Sequence, residues 1–168
     1  MMRFKTNRLE IGPISSADRE DVVDLLTDEL VKQTYMVPDF ATREDAKKLF
    51  EQIKALSWRN DRFVAGVYLN GAFAGLINET EIKDKTIELG YAFLPKFHNC
   101  GYCTETLMGA VQYLFQCGFE QVVAGAFEDN LPSIRVMEKC GMQKLDKQEE
   151  ISYLGESHCC VYYSRKKK

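Results

Sequence analysis

The sequence predicts an α+β fold: a single domain with a mixed, mostly antiparallel twisted sheet of about seven strands, one parallel pair within it and about four flanking helices. Three observations lead there. Asn70-Gly71 joins two strand-like runs, 62–69 and 72–83, and Asn-Gly is the strongest short hairpin signal because both turn residues must take φ > 0. A strand-like run over 86–94 passes through the glycine loop His98-Asn-Cys-Gly-Tyr-Cys-Thr104 into a helix-like run, and a second apolar strand follows at 121–127. Strand, helix, strand places those two strands parallel. Finally, 168 residues at 45% hydrophobic and 28% charged are enough for one substantial core, with no linker or repeat to suggest a second.

Taken in order, residues 3–14 carry Phe4, Leu9 and Ile11 with polar residues between, and Pro13 ends the run, which reads as an edge strand. Ser15 to Asp18 has capping-box spacing, and Val22, Leu26 and Leu30, flanked by Val23 and Leu25, give a first helix its buried stripe. Thr42 to Asp45 repeats the box before a helix with Ala46, Leu49, Phe50 and Ile53 on one face. Between them, 33–41 is aromatic without period, with Tyr35, Met36, Pro38 and Phe40: a packed connector or one wall of a binding site. After the hairpin, Lys83-Asp84-Lys85 turns into the 86–94 strand, where Ile87, Leu89, Tyr91 and Phe93 alternate with Glu88, Gly90, Ala92 and Leu94. Leu107, Val111, Leu114 and Phe115 mark the helix after the loop, which Gly118 stops. Asp129-Asn130-Leu131-Pro132 opens a short helix ended by Gly141, and strands around 142–151 and 158–164 close the chain.

A formal charge of -3 and a pI near 5.5 argue against a nucleic-acid partner, and the basic tail 165–168 is too short to change that. No apolar run approaches a membrane span, and the first residues lack the core of a secretion signal, so the expected location is cytoplasmic, with no membrane partner. Six cysteines in that setting read as reduced thiols. The loop at 98–104 has a chemistry of its own, since a glycine turn opening a helix presents unpaired N–H groups at the positive end of the helix dipole, where phosphate binds.

The element order, with Glu88-Leu-Gly-Tyr-Ala-Phe-Leu-Pro95, Gly101-Tyr-Cys-Thr-Glu105, Asn130-Leu-Pro-Ser133 and Glu138-Lys-Cys-Gly141, resembles the GNAT superfamily of acyl-CoA-dependent N-acetyltransferases, closest to its RimJ/RimL-like branch. These motifs cover roughly the middle third of the chain. The resemblance implies a parallel pair splayed at the centre of the sheet, acetyl-CoA as co-substrate, no metal, and direct transfer of the acetyl group to an amine, either a protein N-terminus or a small molecule. It implies cofactor contacts from Phe93, from Asn99, Cys100, Gly101, Tyr102, Cys103 and Thr104 in the pyrophosphate loop, and from Asn130 and Ser133. His98 stands where the family usually has Gln or Arg, and Cys103 where it has Gly or Ala. The loop works through backbone amides, so neither change removes its function.

Glu88 matches the family glutamate and is the expected general base that takes the ammonium proton, a solvated strand carboxylate being the lesser alternative. The tyrosine that protonates the leaving thiolate in many relatives is Met137 here. Ser133 is then left to hydrogen-bond the sulfur, unless its hydroxyl only serves the helix start. Three other readings compete. Cys100-Gly-Tyr-Cys103 is a Cys-x-x-Cys pair between strand and helix, the setting of a thiol-disulfide oxidoreductase. His98, Cys100, Cys103 and His158-Cys-Cys160 could supply zinc ligands if two distant segments met. A non-catalytic acyl-CoA-binding module would need the loop alone.

Overall fold

The computed structural model describes residues 2–168. Eight strands form one sheet: Phe4–Lys5 (β1), Leu9–Gly12 (β2), Val64–Leu69 (β3), Ala72–Lys83 (β4), Thr86–Phe93 (β5), Gln121–Phe127 (β6), Gln143–Tyr153 (β7) and Glu156–Lys166 (β8). Their spatial order is β1-β2-β3-β4-β5-β6-β8-β7, with β5 and β6 parallel and every other neighbour antiparallel. Five helices accompany them: Arg19–Thr27 (α1), Glu29–Lys32 (α2), Arg43–Ser57 (α3), Tyr102–Gln116 (α4) and Leu131–Lys139 (α5). The predicted class and parallel pair are present, with one strand and one helix more than expected.

Both extra elements have local causes. The single edge strand expected over 3–14 breaks at residues 6–8 because Thr6 and Arg8 turn out of the sheet to bind Glu105, and Thr6 N–H closes the turn on the Leu9 carbonyl at 2.9 Å. β1 and β2 then pair with each other. The first helix stops at Asp28, whose extended backbone (ψ 126°) and side chain, accepting from the N–H groups of Leu30 and Val31, start a new turn. Leu30, expected on the buried stripe, is 51% exposed; Val31 takes the buried place.

The sheet has two differently covered faces. On one, α4 and α5 lie over a continuous core that runs from Leu9 and Ile11 through Ile87 and Leu89 to Val122 and Ala124. On the other, α1 and α3 bury Val64, Phe73 and Leu76 against Leu25, Leu26 and Phe50. That second core stops at β5, and across β6 and β8 only a small separate cluster of Val123, Cys160 and Tyr162 remains. Hydrophobic burial is thus interrupted on this face along the line where β5 meets β6.

The same line is weak in the backbone. β5 and β6 pair over Thr86–Gln121 to Leu89–Ala124, four residues a side, and no further. β5 continues along β4 as far as Phe93–Gly75, and β6 continues along β8 as far as Phe127–Cys160. The two strands splay into a V, as the resemblance implied.

Candidate active site

A cavity of about 610 Å3 lies at the V and is lined by residues from both faces of the sheet. At one end lies the loop. Gly101 takes φ +77°, which lets the chain turn into α4 without a Cβ in the way. Glu105 N–H is the first to bond back, to the Gly101 carbonyl at 3.0 Å, so the N–H groups of Tyr102, Cys103 and Thr104 have no intrahelical partner. Asn99 also takes φ > 0, at 59°. Five of the predicted loop residues, Asn99, Gly101, Tyr102, Cys103 and Thr104, line the cavity; Cys100 is exposed and lies outside the lining.

Arg8, which the sequence did not single out, fixes this loop. Its backbone N–H and Nε donate to the Glu105 carboxylate at 2.7 and 2.6 Å, its Nη1 donates to the Cys100 carbonyl at 3.2 Å, and its guanidinium sits 4.5 Å from the Tyr102 ring centroid. Thr6 donates to the same carboxylate at 2.6 Å. Burial alone would raise the Glu105 carboxyl, but the bonds from Thr6 and Arg8 and the guanidinium charge hold it below the ordinary carboxylate range. An acidic residue in the first turn would repel phosphate; here its charge is already matched. His98 closes the other side of the loop by a 2.8 Å bond between Nε2 and the Phe93 carbonyl.

The walls are the splayed strands. Beyond Leu89 the β5 edge has no β6 partner, an arrangement that an extended ligand can enter as an added strand. On the side of α4 and α5, Asn130 caps α5 by accepting the Ser133 N–H at 3.2 Å, and the Ser133 hydroxyl lies 2.9 Å from the Tyr91 hydroxyl. Met137, at the position of the family tyrosine, is fully buried in the core and lines no part of the cavity. On the opposite face stands Glu88, its Oε1 accepting from Thr80 Oγ1 at 2.9 Å across a bulge in β4. Gly90 extends the floor beside it: a Cβ there would meet Thr80, Tyr35 and Asn78 at 3.3 to 3.6 Å, so a side chain would fill the space in front of Glu88.

The aromatic segment over 33–41 is a wall, not only a connector. Tyr35 Oη donates to Asn78 Oδ1 at 2.6 Å, and Tyr153, from the β7–β8 hairpin, donates to the Tyr35 carbonyl and accepts from Val37 N–H, both at 3.3 Å. This clasp roofs the Glu88 side.

The redox and zinc readings find no support in the geometry. The Cys100 thiol is exposed and donates to the His98 carbonyl at 3.3 Å, outside the cavity lining, whereas Cys103 sits inside the lining and packs against the core, so the two thiols are held in different surroundings. Among the described residues no group of three His, Cys, Asp or Glu side chains is placed to hold a metal. Replacing Cys100 and Cys103 with Ser and Ala should leave acetyl-CoA binding within about threefold, because a loop of this kind holds phosphate through amides rather than thiols; isothermal titration checks this, and loss of binding would assign the thiols a part in the site.

Unpaired helix-start amides at one end, a free strand edge along the walls and a carboxylate on the far face suit an acyl-CoA-dependent acyltransferase. Comparison with known families matches residues 8–143 to the acetyltransferase (GNAT) domain. The chain belongs to the GNAT acetyltransferase family, and its reaction class is transfer of an acetyl group from acetyl-CoA to an amine. It is 27% identical over 145 residues to the uncharacterized N-acetyltransferase YnaD of Bacillus subtilis, covering 85% of this chain and 84% of that protein. A GNAT-family acetyltransferase from Bacillus anthracis superposes with a TM-score of 0.83 at 26% identity, covering 98% of each chain. RimL, a ribosomal L7/L12 alpha-N-protein acetyltransferase solved with coenzyme A, shares the fold with a TM-score of 0.83 at 16% identity over 98% of each chain.

Proposed function

We propose that the protein acetylates the α-amine of a peptide or protein N-terminus, with Glu88 as general base. The observation that carries this reading is the division of the cavity by charge. Its Glu88 half is lined by Tyr35, Met36, Asn78, Thr80, Ile151 and Tyr162, and among the described lining residues the cations Arg135 and Lys139 both belong to α5, on the other side. An incoming ammonium meets one carboxylate; a free amino acid would bring its own carboxylate into a half with no cation to receive it. An N-terminus in peptide linkage has no such group. RimL acts on a protein N-terminus by its name, and supports the reading by likeness of fold alone.

In this proposal the loop from Asn99 to Thr104 binds the pyrophosphate, and Phe93, Asn130 and Ser133 border the pantetheine arm. A backbone N–H of the splayed β5 receives the carbonyl oxygen as it gains negative charge. Glu88 takes the ammonium proton through water, leaving a nucleophilic amine, and Ser133 serves the departing sulfur.

A panel of N-terminal peptides, free amino acids and polyamines, read by release of free CoA, tests the proposal. Turnover confined to peptides and lost when their α-amine is blocked is the expected result. Turnover of polyamines alone would move the acceptor to small amines. Tight acetyl-CoA binding with no turnover on any amine would favour the non-catalytic binding module, the reading that buried Met137 supports.

A further inference from the structure

Tyr91 reads in the sequence as one more apolar residue of a strand, yet its hydroxyl ends in the cavity, 2.9 Å from Ser133 Oγ and with no other hydrogen-bond partner among the described residues. Resting on the acetyltransferase reading, we propose that Tyr91 and Ser133 act as one unit that holds a hydroxyl hydrogen on the sulfur of the acyl donor, with Tyr91 as the residue that positions it. The argument is one of counting. Two hydroxyls carry two hydrogens, and the bond between them uses one; whichever residue donates, the other hydrogen is left for whatever occupies the cavity. Asn130 fixes where Ser133 stands, by accepting its N–H at 3.2 Å, and Tyr91 fixes where its hydroxyl points.

The surroundings suit a donor that keeps its own proton. Desolvation pushes the Tyr91 phenol well above its ordinary value, and the thiols of Cys103 and Cys140 add to this while Ser133 opposes it. Those two thiols, one on α4 and one after α5, are themselves raised, to about 12 and about 11. The charged groups that line the cavity are Arg135 and Lys139 on α5 and Glu88 across the sheet. Ser133 is the third residue of α5, a nine-residue helix, so the positive end of its dipole faces the same place. During transfer the amine nitrogen forms the C–N bond and the C–S electron pair stays on sulfur. The ammonium loses two protons in all, one reaching solvent through Glu88 and one ending on the sulfur. The hydroxyl pair supplies neither; it stabilises the sulfur while the charge is there.

The test does not need the acceptor. The thiol of CoA bound to the protein is titrated by its thiolate absorbance, with the desulfo-CoA complex subtracted to remove the six cysteines of the chain. A hydrogen bond to the thiolate lowers the pH at which the bound thiol ionises by about one to two units relative to the same complex of Tyr91→Phe or Ser133→Ala. The double variant should shift no further than the larger single shift, because the two act together. With an active acceptor, Tyr91→Phe should lower kcat by about tenfold to a hundredfold and leave KM for acetyl-CoA within about twofold. Both variants are conservative, and an unchanged melting temperature confirms that they fold. A bound thiol that ionises at the same pH in parent and variants overturns the pair, as do additive shifts. Failure of the parent to bind CoA at all is a different result, and removes the acetyltransferase reading itself.

Discussion

Glu88→Gln should slow acetyl transfer on the order of a hundredfold to ten-thousandfold, the range a positioned general base contributes. The substitution keeps the size of the side chain and its ability to accept from Thr80, at 2.9 Å in the parent, so the strand and its bulge stay as they are. What it removes is a site for the ammonium proton. Acetyl-CoA binding should change little, because the loop amides lie at the other end of the cavity. The defect should shrink as pH rises, since more of the acceptor amine is then neutral without help from the protein. Rate profiles of parent and variant over about pH 6 to 9 check this. Superimposable profiles would leave Glu88 a solvated strand residue. Glu79, Glu81 and bulk water would then be the candidates; of the two carboxylates of β4, Glu79 is buried and bonded to Arg62 and the Phe63 N–H, while Glu81 is exposed and lies opposite Glu88 in the ladder.

Gly101→Val should abolish the stabilisation that acetyl-CoA confers, about 2.7 kcal/mol at a hundredfold excess over its dissociation constant. At φ +77° a β-branched residue is strongly disfavoured by its own backbone, the nearest neighbour of its Cβ, Arg8 Nη2, being at an ordinary contact distance of 3.5 Å. The loop must move to relieve this, and with it go the free N–H groups of α4 and the bond from Arg8 to the Cys100 carbonyl. Melting curves with and without acetyl-CoA report the effect. A valine variant that folds and still gains the parent's full shift would show that phosphate binds elsewhere.

What could be read in the sequence was whatever depends on neighbours in the chain. Asn70 and Gly71 adopt φ 51° and 81°, the hairpin turn their identities demand, and Gly118 and Gly141 end helices at φ 99° and 72°. The glycine loop and the parallel strands beside it were legible for the same reason. The misreadings are places where a distant partner decides. Nothing near residues 6–8 shows that the strand must break; the cause is Glu105, 97 positions away from Arg8. Tyr91 meets Ser133 across 42 positions, and its spacing alone marks it as core. Tyr153 reaches Tyr35 across 118. Leu30 is a local failure: Asp28 was in view, and its tendency to start a helix outweighed the apolar period.

The four residue pairs that join β5 to β6 have a consequence for how long the protein survives. On one side of that seam, β1 to β5 are neighbours both in order and in space; on the other, β6 to β8 form their own ladder, and on the face that carries α1 and α3 the two sides have separate cores. A molecule lodged in the V touches both sides at once, like a rivet through two plates. Because proteolysis samples the opened chain, occupancy sets how often that chain is offered. Cleavage by a nonspecific protease should therefore slow as acetyl-CoA rises, and insensitivity to it would mean the seam is not where the protein opens. The enzyme's own turnover would then follow the abundance of its acetyl donor.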